Sequence, residues 1–255
     1  MILSAQEAGE GPPICVLHGL FGAGTNLRTA TRSLQATRRV ILLDLRNHGN
    51  SPHAPAMSYA EMAADVRETL AALGALPAAF LGHSMGGKAA MRLALDAPEA
   101  VTRLLVADIA PVAYQPHFHE LVAALRALPL RPGLTRAEAS ALLAPYVEDA
   151  ALRAFLLQNL RFGAGAPAWR IGLDAIAANL SLLEGWEAPP GAAYGGPVLF
   201  LAGERSGYVR PEYRPAIRAL FPAARFATLR DAGHWMHADQ PEAFAATATA
   251  FLGGR

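Results

Sequence analysis

Residues 82–86 read Gly-His-Ser-Met-Gly, with AAFL before them and GKAAM after. Glycine at two positions before and two after a serine suits a sharp strand-to-helix turn that exposes the Ser84 hydroxyl. Neither flanking position tolerates bulk in so tight a turn. The helix that follows aims its first N–H groups at the serine, a field that favours developing negative charge. The chemistry this serves is nucleophilic acyl transfer. The competing readings are a glycine-rich phosphate loop and an ordinary strand–helix connection; the apolar strand before and the helical pattern after favour the nucleophile.

A serine nucleophile needs a base, and the chain has eight histidines. In this architecture the base follows the final strand, which selects His234 in DAGHWMH, with His237 three residues on as its competitor. His18 lies in the first HG turn, His48 and His53 share one loop, and His83 is the variable position of the elbow. His117 and His119 (HFH) have metal-pair spacing but no matching third ligand, so a solvated helix is expected and no metal. The oxyanion of acyl transfer requires two backbone donors. One is expected from Met85, directly after the serine, the other from Leu20 or Phe21 in the loop LHGLFGAG, whose glycines allow close approach to a ligand.

These residues must be positioned by a scaffold, and its rhythm is readable. PICVLHG, RRVILLDLR, AAFLGHS, VTRLLVADIAP, PVLFLAG and ARFATLRDAG read as strands. SYAEMAADVRETLAALGA reads as a helix opened by a Ser58/Glu61 capping box, and further helices follow the elbow and close the chain. Apolar strands separated by helices predict an α/β fold with a mainly parallel central sheet flanked by helices. Between 113 and 193 the rhythm gives way to helical segments with no convincing strand. The expected organisation is a core of 1–112 and 194–255 carrying a helical cap over the carboxyl ends of the strands.

With 255 residues, 53% of them hydrophobic and 17% charged, the chain can bury a large core and is not disordered. A net charge of +1 gives no electrostatic reason for nucleic acid or an anionic membrane as partner. The single Cys15 sits in an apolar run and is read as a reduced core residue. The N-terminal segment has no signal-peptide pattern and no apolar run reaches the length of a membrane span, so a cytoplasmic protein is expected. Nothing in the sequence sets an oligomeric state.

The motifs HGLFG, DLRNHGNSPH, GHSMGGKAAM, ADIAPVAY and GHWMHAD together resemble the α/β-hydrolase superfamily, from about residue 12 onward. More narrowly they are similar to small carboxylesterases, including bacterial short-chain acyl esterases and related mitochondrial α/β-hydrolase-domain proteins. The resemblance implies a serine esterase or thioesterase acting on a small-molecule acyl ester or thioester, without cofactor, with a cap shaping the acyl pocket. C–C bond hydrolysis, lactone opening, or a ligand receptor that kept the fold are the alternatives. In the superfamily the acid of the Ser-His-acid triad commonly follows the strand PVLFLAG, but Ser206 stands there. Asp108 and Glu204 therefore compete, with Asp174 and Asp231 as further candidates. Asp108 is favoured because it closes the strand beside the elbow strand, ahead of the apolar turn Ile-Ala-Pro, and this alternative position is known in the superfamily. Glu204 adjoins Arg205 and suits an exposed ion pair better. Asp44 and Arg46 are read as ties within the RNHG loop, and Lys88 as a stem packed against a loop. Trp169, Trp186 and Phe162 of the cap are candidates for lining an acyl pocket.

Overall fold

Every apolar run named above becomes a strand. The computed structural model describes residues 1–163 and 165–254. In chain order the first half comprises β1 (Ala5–Ala8), β2 (Pro13–Leu17), β3 (Arg39–Leu43), α1 (Tyr59–Ala72), β4 (Ala78–His83), α2 (Met85–Asp96) and β5 (Val101–Ala107). The intervening segment holds α3 (His119–Ala127), α4 (Arg136–Leu143), α5 (Ala150–Leu157), β6 (Leu160–Arg161), β7 (Ala168–Trp169), α6 (Leu173–Ala178) and α7 (Leu180–Glu184). The chain returns with β8 (Val198–Gly203), α8 (Arg214–Leu220), β9 (Ala224–Leu229), α9 (Met236–Asp239) and α10 (Pro241–Leu252).

The sheet order is β1-β3-β2-β4-β5-β8-β9, parallel throughout except for β1, which runs antiparallel to β3. All six residues of β4 are buried, as a central parallel strand covered on both faces requires. On one face Phe80, Leu104 and Phe200 pack with Met62, Val66 and Leu70 of α1 and with α2. On the other, Leu81, Leu105 and Leu201 meet Phe244, Ala248 and Leu252 of α10. The Ser58/Glu61 capping box forms: Glu61 N–H donates to Ser58 Oγ at 3.2 Å, and Ser58 N–H to Glu61 Oε2 at 2.8 Å.

Two features depart from the sequence reading. β1 (AQEA) is a short, half-exposed edge strand without an apolar run, so only its pairing partner reveals it. Within the segment between β5 and β8, β6 and β7 form a two-residue antiparallel pair, Leu160 opposite Trp169. That segment covers the carboxyl end of the sheet and is stitched to the core. Gly172 N–H donates to the Asn47 carbonyl at 2.8 Å, Tyr59 OH to the Leu183 carbonyl at 2.5 Å, and Asn179 Nδ2 to the Pro55 carbonyl at 2.8 Å. Among the described residues no helix is long and apolar enough to cross a membrane.

Candidate active site

Ser84 occupies the turn between β4 and α2 with φ 53° and ψ −121°, a conformation bulky residues rarely adopt. The flanking glycines make the turn possible. A Cβ on Gly86 would lie 2.5 Å from the Leu17 carbonyl oxygen, and one on Gly82 would lie 2.6 Å from Gly87 Cα. Backbone cannot retreat from either contact. Ser84 N–H is held by the Ala107 carbonyl of β5 at 2.9 Å, so the turn is fastened to the neighbouring strand.

His234, in the loop after β9, reaches Ser84 Oγ through Nε2 at 3.0 Å. Its Nδ1–H donates to Asp108 Oδ2 at 2.7 Å. That bond fixes the tautomer and leaves Nε2 able to take the serine proton. Asp108 is fully buried just past β5, with φ 53°, and its Oδ1 accepts from Gly203 N–H at 3.0 Å. Ser206, at the position where the superfamily commonly has its carboxylate, donates its hydroxyl to Asp108 Oδ2. A short polar side chain on β8's exit thus supports a carboxylate on β5's exit, a swap possible because the two strands are hydrogen-bonded neighbours with parallel ends.

The other acid candidates lie elsewhere. Glu204 accepts from Asp231 N–H at 2.9 Å, and Asp174 is exposed and paired with Arg126 at 2.9 Å. His237 does not reach Ser84; its ring packs edge-on against His83 at 4.9 Å, and burial lowers its pKa to about 4. Its Nδ1 is buried without a hydrogen-bond partner among the described residues. His83 instead holds His234 from behind, donating from Nε2 to the His234 carbonyl at 2.8 Å. Tyr208 stacks on the His234 ring, centroids 4.2 Å apart and planes at 28°. Its hydroxyl meets His117 Nε2 at 2.8 Å, and burial pushes its pKa up to about 12. Neither role was visible in the sequence, because both depend on contacts between segments far apart in the chain.

Of the three expected backbone donors, Met85 and Leu20 stand beside Ser84, and Leu20 lines the cavity that opens on it. Phe21 is a correction: its N–H is committed to His48 Nε2 at 3.1 Å, so it is not available to a substrate oxygen. His48 and His18 are buried and neutral. Each donates from Nδ1 to a backbone carbonyl (Arg46 and Gly19) and accepts on Nε2 from a backbone N–H (Phe21 and Leu45). Desolvation lowers their pKa values to about 3 and about 4. Asp44 ties the same region together through Gly24 N–H and Asn50 N–H, both at 2.8 Å, and Arg46 pairs with Asp65 at 2.6 Å.

The cavity above Ser84 measures about 630 Å³. Phe118, Leu121, Tyr146, Leu152, Phe155 and Trp235 supply its apolar wall. The three cap aromatics expected there lie elsewhere. Trp169 borders a separate open groove, Trp186 packs on Tyr59 with ring centroids 6.0 Å apart, and the exposed Phe162 carries Arg136 over its ring at 4.9 Å. Each packs against another neighbour, a directional fact that composition does not carry. Lys88 is more than a packed stem. It is buried, its Nζ donates to the Gly185 carbonyl at 2.5 Å, and desolvation lowers its pKa to about 7. His117 and His119 both flank the Glu184 carboxylate, at 3.8 and 3.4 Å, and no group of three metal-ligating side chains occurs among the described residues.

The comparisons with known proteins agree with this architecture. The chain is 41% identical over 249 residues to the sn-1-specific diacylglycerol lipase ABHD11 of Mus musculus, covering 94% of this chain and 81% of that protein. It is 38% identical over 241 residues to esterase YbfF of Escherichia coli (strain K12), covering 94% and 92%. The solved structure of a marine microorganism esterase superposes with a TM-score of 0.95 at 37% identity, covering 98% and 99% of the two chains. Residues 12–241 match the family described as alpha/beta hydrolase fold, and the chain belongs to that family.

Proposed function

We propose that the protein is a carboxylic ester hydrolase in which Ser84 is the nucleophile, His234 the general base and Asp108 the acid. The observation that carries this reading is the continuous hydrogen-bonded run from Ser84 Oγ through His234 to Asp108, opening on an apolar cavity. His234 Nε2 takes the hydroxyl proton as Ser84 Oγ attacks the acyl carbonyl. The N–H groups of Leu20 and Met85 receive the oxyanion. The imidazolium, stabilised by Asp108, then protonates the leaving alcohol or thiol, and water releases the acyl group by the reverse sequence. A cavity of about 630 Å³ lies within the usual range for a small-molecule ligand and suits a small to medium acyl chain. The ester-cleaving names of the relatives support the substrate class.

A fluorophosphonate probe and a graded series of p-nitrophenyl esters test the proposal together. Wild type should be labelled on Ser84 and turn over the esters, and Ser84→Ala should do neither. Turnover by Ser84→Ala within tenfold of wild type would remove Ser84 as the nucleophile.

A further inference from the structure

The loop that presents Leu20 is held in an uncommon shape. The Gly19 carbonyl accepts from His18 Nδ1–H at 2.8 Å and from Gly22 N–H at 3.0 Å. Because the peptide is planar and trans, clamping that oxygen aims the Leu20 N–H to the opposite side. The next residue, Phe21, has φ +62°, in the left-handed region that disfavours a bulky side chain. Both of its backbone groups are therefore restrained. His48 Nε2 takes the N–H at 3.1 Å, and Asn159 Nδ2 donates to its carbonyl at 2.7 Å. Asn159 is a residue of the covering segment, placed between α5 and β6, and it is 1% exposed. It is fixed in turn by its own carbonyl, which accepts from Arg170 N–H at 2.7 Å, and by a longer bond from Nδ2 to the Leu156 carbonyl at 3.3 Å.

We infer that Asn159 is a positioning residue for the oxyanion site: by holding the Phe21 carbonyl it keeps the strained loop in the shape that aims Leu20 N–H at the reacting oxygen. The segment above the sheet thereby takes part in transition-state stabilisation as well as in forming the cavity. The inference rests on the hydrolase reading of Ser84. Without the amide donor, Phe21 relaxes out of the left-handed region and the Leu20 N–H loses its aim. The loss falls on the transition state, since the ground-state carbonyl makes the weaker demand on that donor. The expected effect is a fall in kcat of about 10- to 100-fold with KM changed by less than about twofold. This is smaller than the loss of about 10²- to 10³-fold on deleting an oxyanion donor outright.

The test compares Asn159→Asp and Asn159→Leu with wild type, both similar in shape and neither able to donate to the carbonyl. Sites are counted by fluorophosphonate titration, so that kcat is expressed per competent site. A trifluoromethyl ketone, whose hydrate-like adduct with Ser84 places an oxyanion in the site, is the probe. Its inhibition constant should weaken by the same factor as kcat falls. Should either variant not fold, Asn159→Ser, too short to reach the carbonyl, replaces it. Variants with kcat and inhibition constant within twofold of wild type would overturn the inference. So would a loss of activity with inhibition unchanged, which marks a structural role only. A wild type that is never labelled on Ser84 would instead defeat the hydrolase reading, and with it the oxyanion Asn159 serves.

Discussion

Replacing Asp108 by asparagine separates charge from shape at the buried end of the hydrogen-bonded run. The native carboxylate accepts at both oxygens: Oδ1 from Gly203 N–H, Oδ2 from His234 Nδ1–H and from the Ser206 hydroxyl. An asparagine can satisfy one side only. With its oxygen facing Gly203, its NH₂ faces His234 and forces the tautomer that carries the proton on Nε2, where the serine proton must arrive. With the amide reversed, two donors meet at Gly203 in a fully buried place, a cost of about 1–3 kcal/mol. In both arrangements the imidazolium formed during attack loses its counter-charge. The serine-protease precedent for this substitution is about 10⁴ in kcat, or roughly 5 kcal/mol at 1.4 kcal/mol per decade. The assay is steady-state hydrolysis of p-nitrophenyl butyrate, with a thermal melt to confirm folding and Glu204→Gln as the control at near wild-type rate. A folded Asp108→Asn within tenfold of wild type, or equal to Glu204→Gln, would refute the assignment of the acid.

Ser206→Ala should cost about tenfold in kcat, roughly the 1.4 kcal/mol of one hydrogen bond to a charged group, and unchanged kinetics would show that hydroxyl to be idle. Stability should fall as pH drops from about 6.5 toward 4. The unfolded chain binds protons on His18 and His48 near their ordinary value of 6.5, while the folded protein resists until about 4 and about 3. Each histidine then contributes about 1.4 kcal/mol per pH unit across that window, so denaturant midpoints should slope with pH, and His48→Gln should make that slope shallower while His18 keeps it from vanishing. A flat profile down to about pH 4.5 would contradict the burial argument. Leu121→Trp, which narrows the cavity, should lower kcat/KM for an octanoate ester at least tenfold more than for acetate; an unchanged ratio would move the acyl chain elsewhere.

The parts of this protein legible in its sequence are those written in local patterns. Gly82, Ser84 and Gly86 define a turn within five residues, and Ser58 with Glu61 writes a helix start within four. The resemblance to the α/β-hydrolase superfamily pointed to His234 through its chain order, and to Asp108 at a strand end because Ser206 stands where that superfamily commonly has its carboxylate. What stayed hidden depends on direction or on distant pairing. β1 is a strand only because β3 offers it an edge, and AQEA carries no signal of its own. Trp169, Trp186 and Phe162 have the composition of a pocket wall, yet Leu121, Phe155 and Trp235 form it, because which side chains reach the cavity is decided by how segments distant in the chain pack together. Phe21 and Leu20 were equivalent in the sequence until His48 claimed one of the two N–H groups.

The hydrogen bonds of His234 to Asp108 and Ser84 span 126 and 150 residues of chain. Closing loops of that length is entropically unfavourable until the intervening strands have paired, so the constellation belongs to the late stages of folding. β8 and β9 must add to the sheet in parallel before the loop bearing the histidine has anywhere to dock. Until then the Ser84 hydroxyl lacks its His234 partner. Recovery of hydrolysis after dilution from denaturant therefore reports the last assembly step and should trail the return of helical signal. A chain halted after β5 holds Ser84 and Asp108, yet it lacks His234, the residue that bridges them.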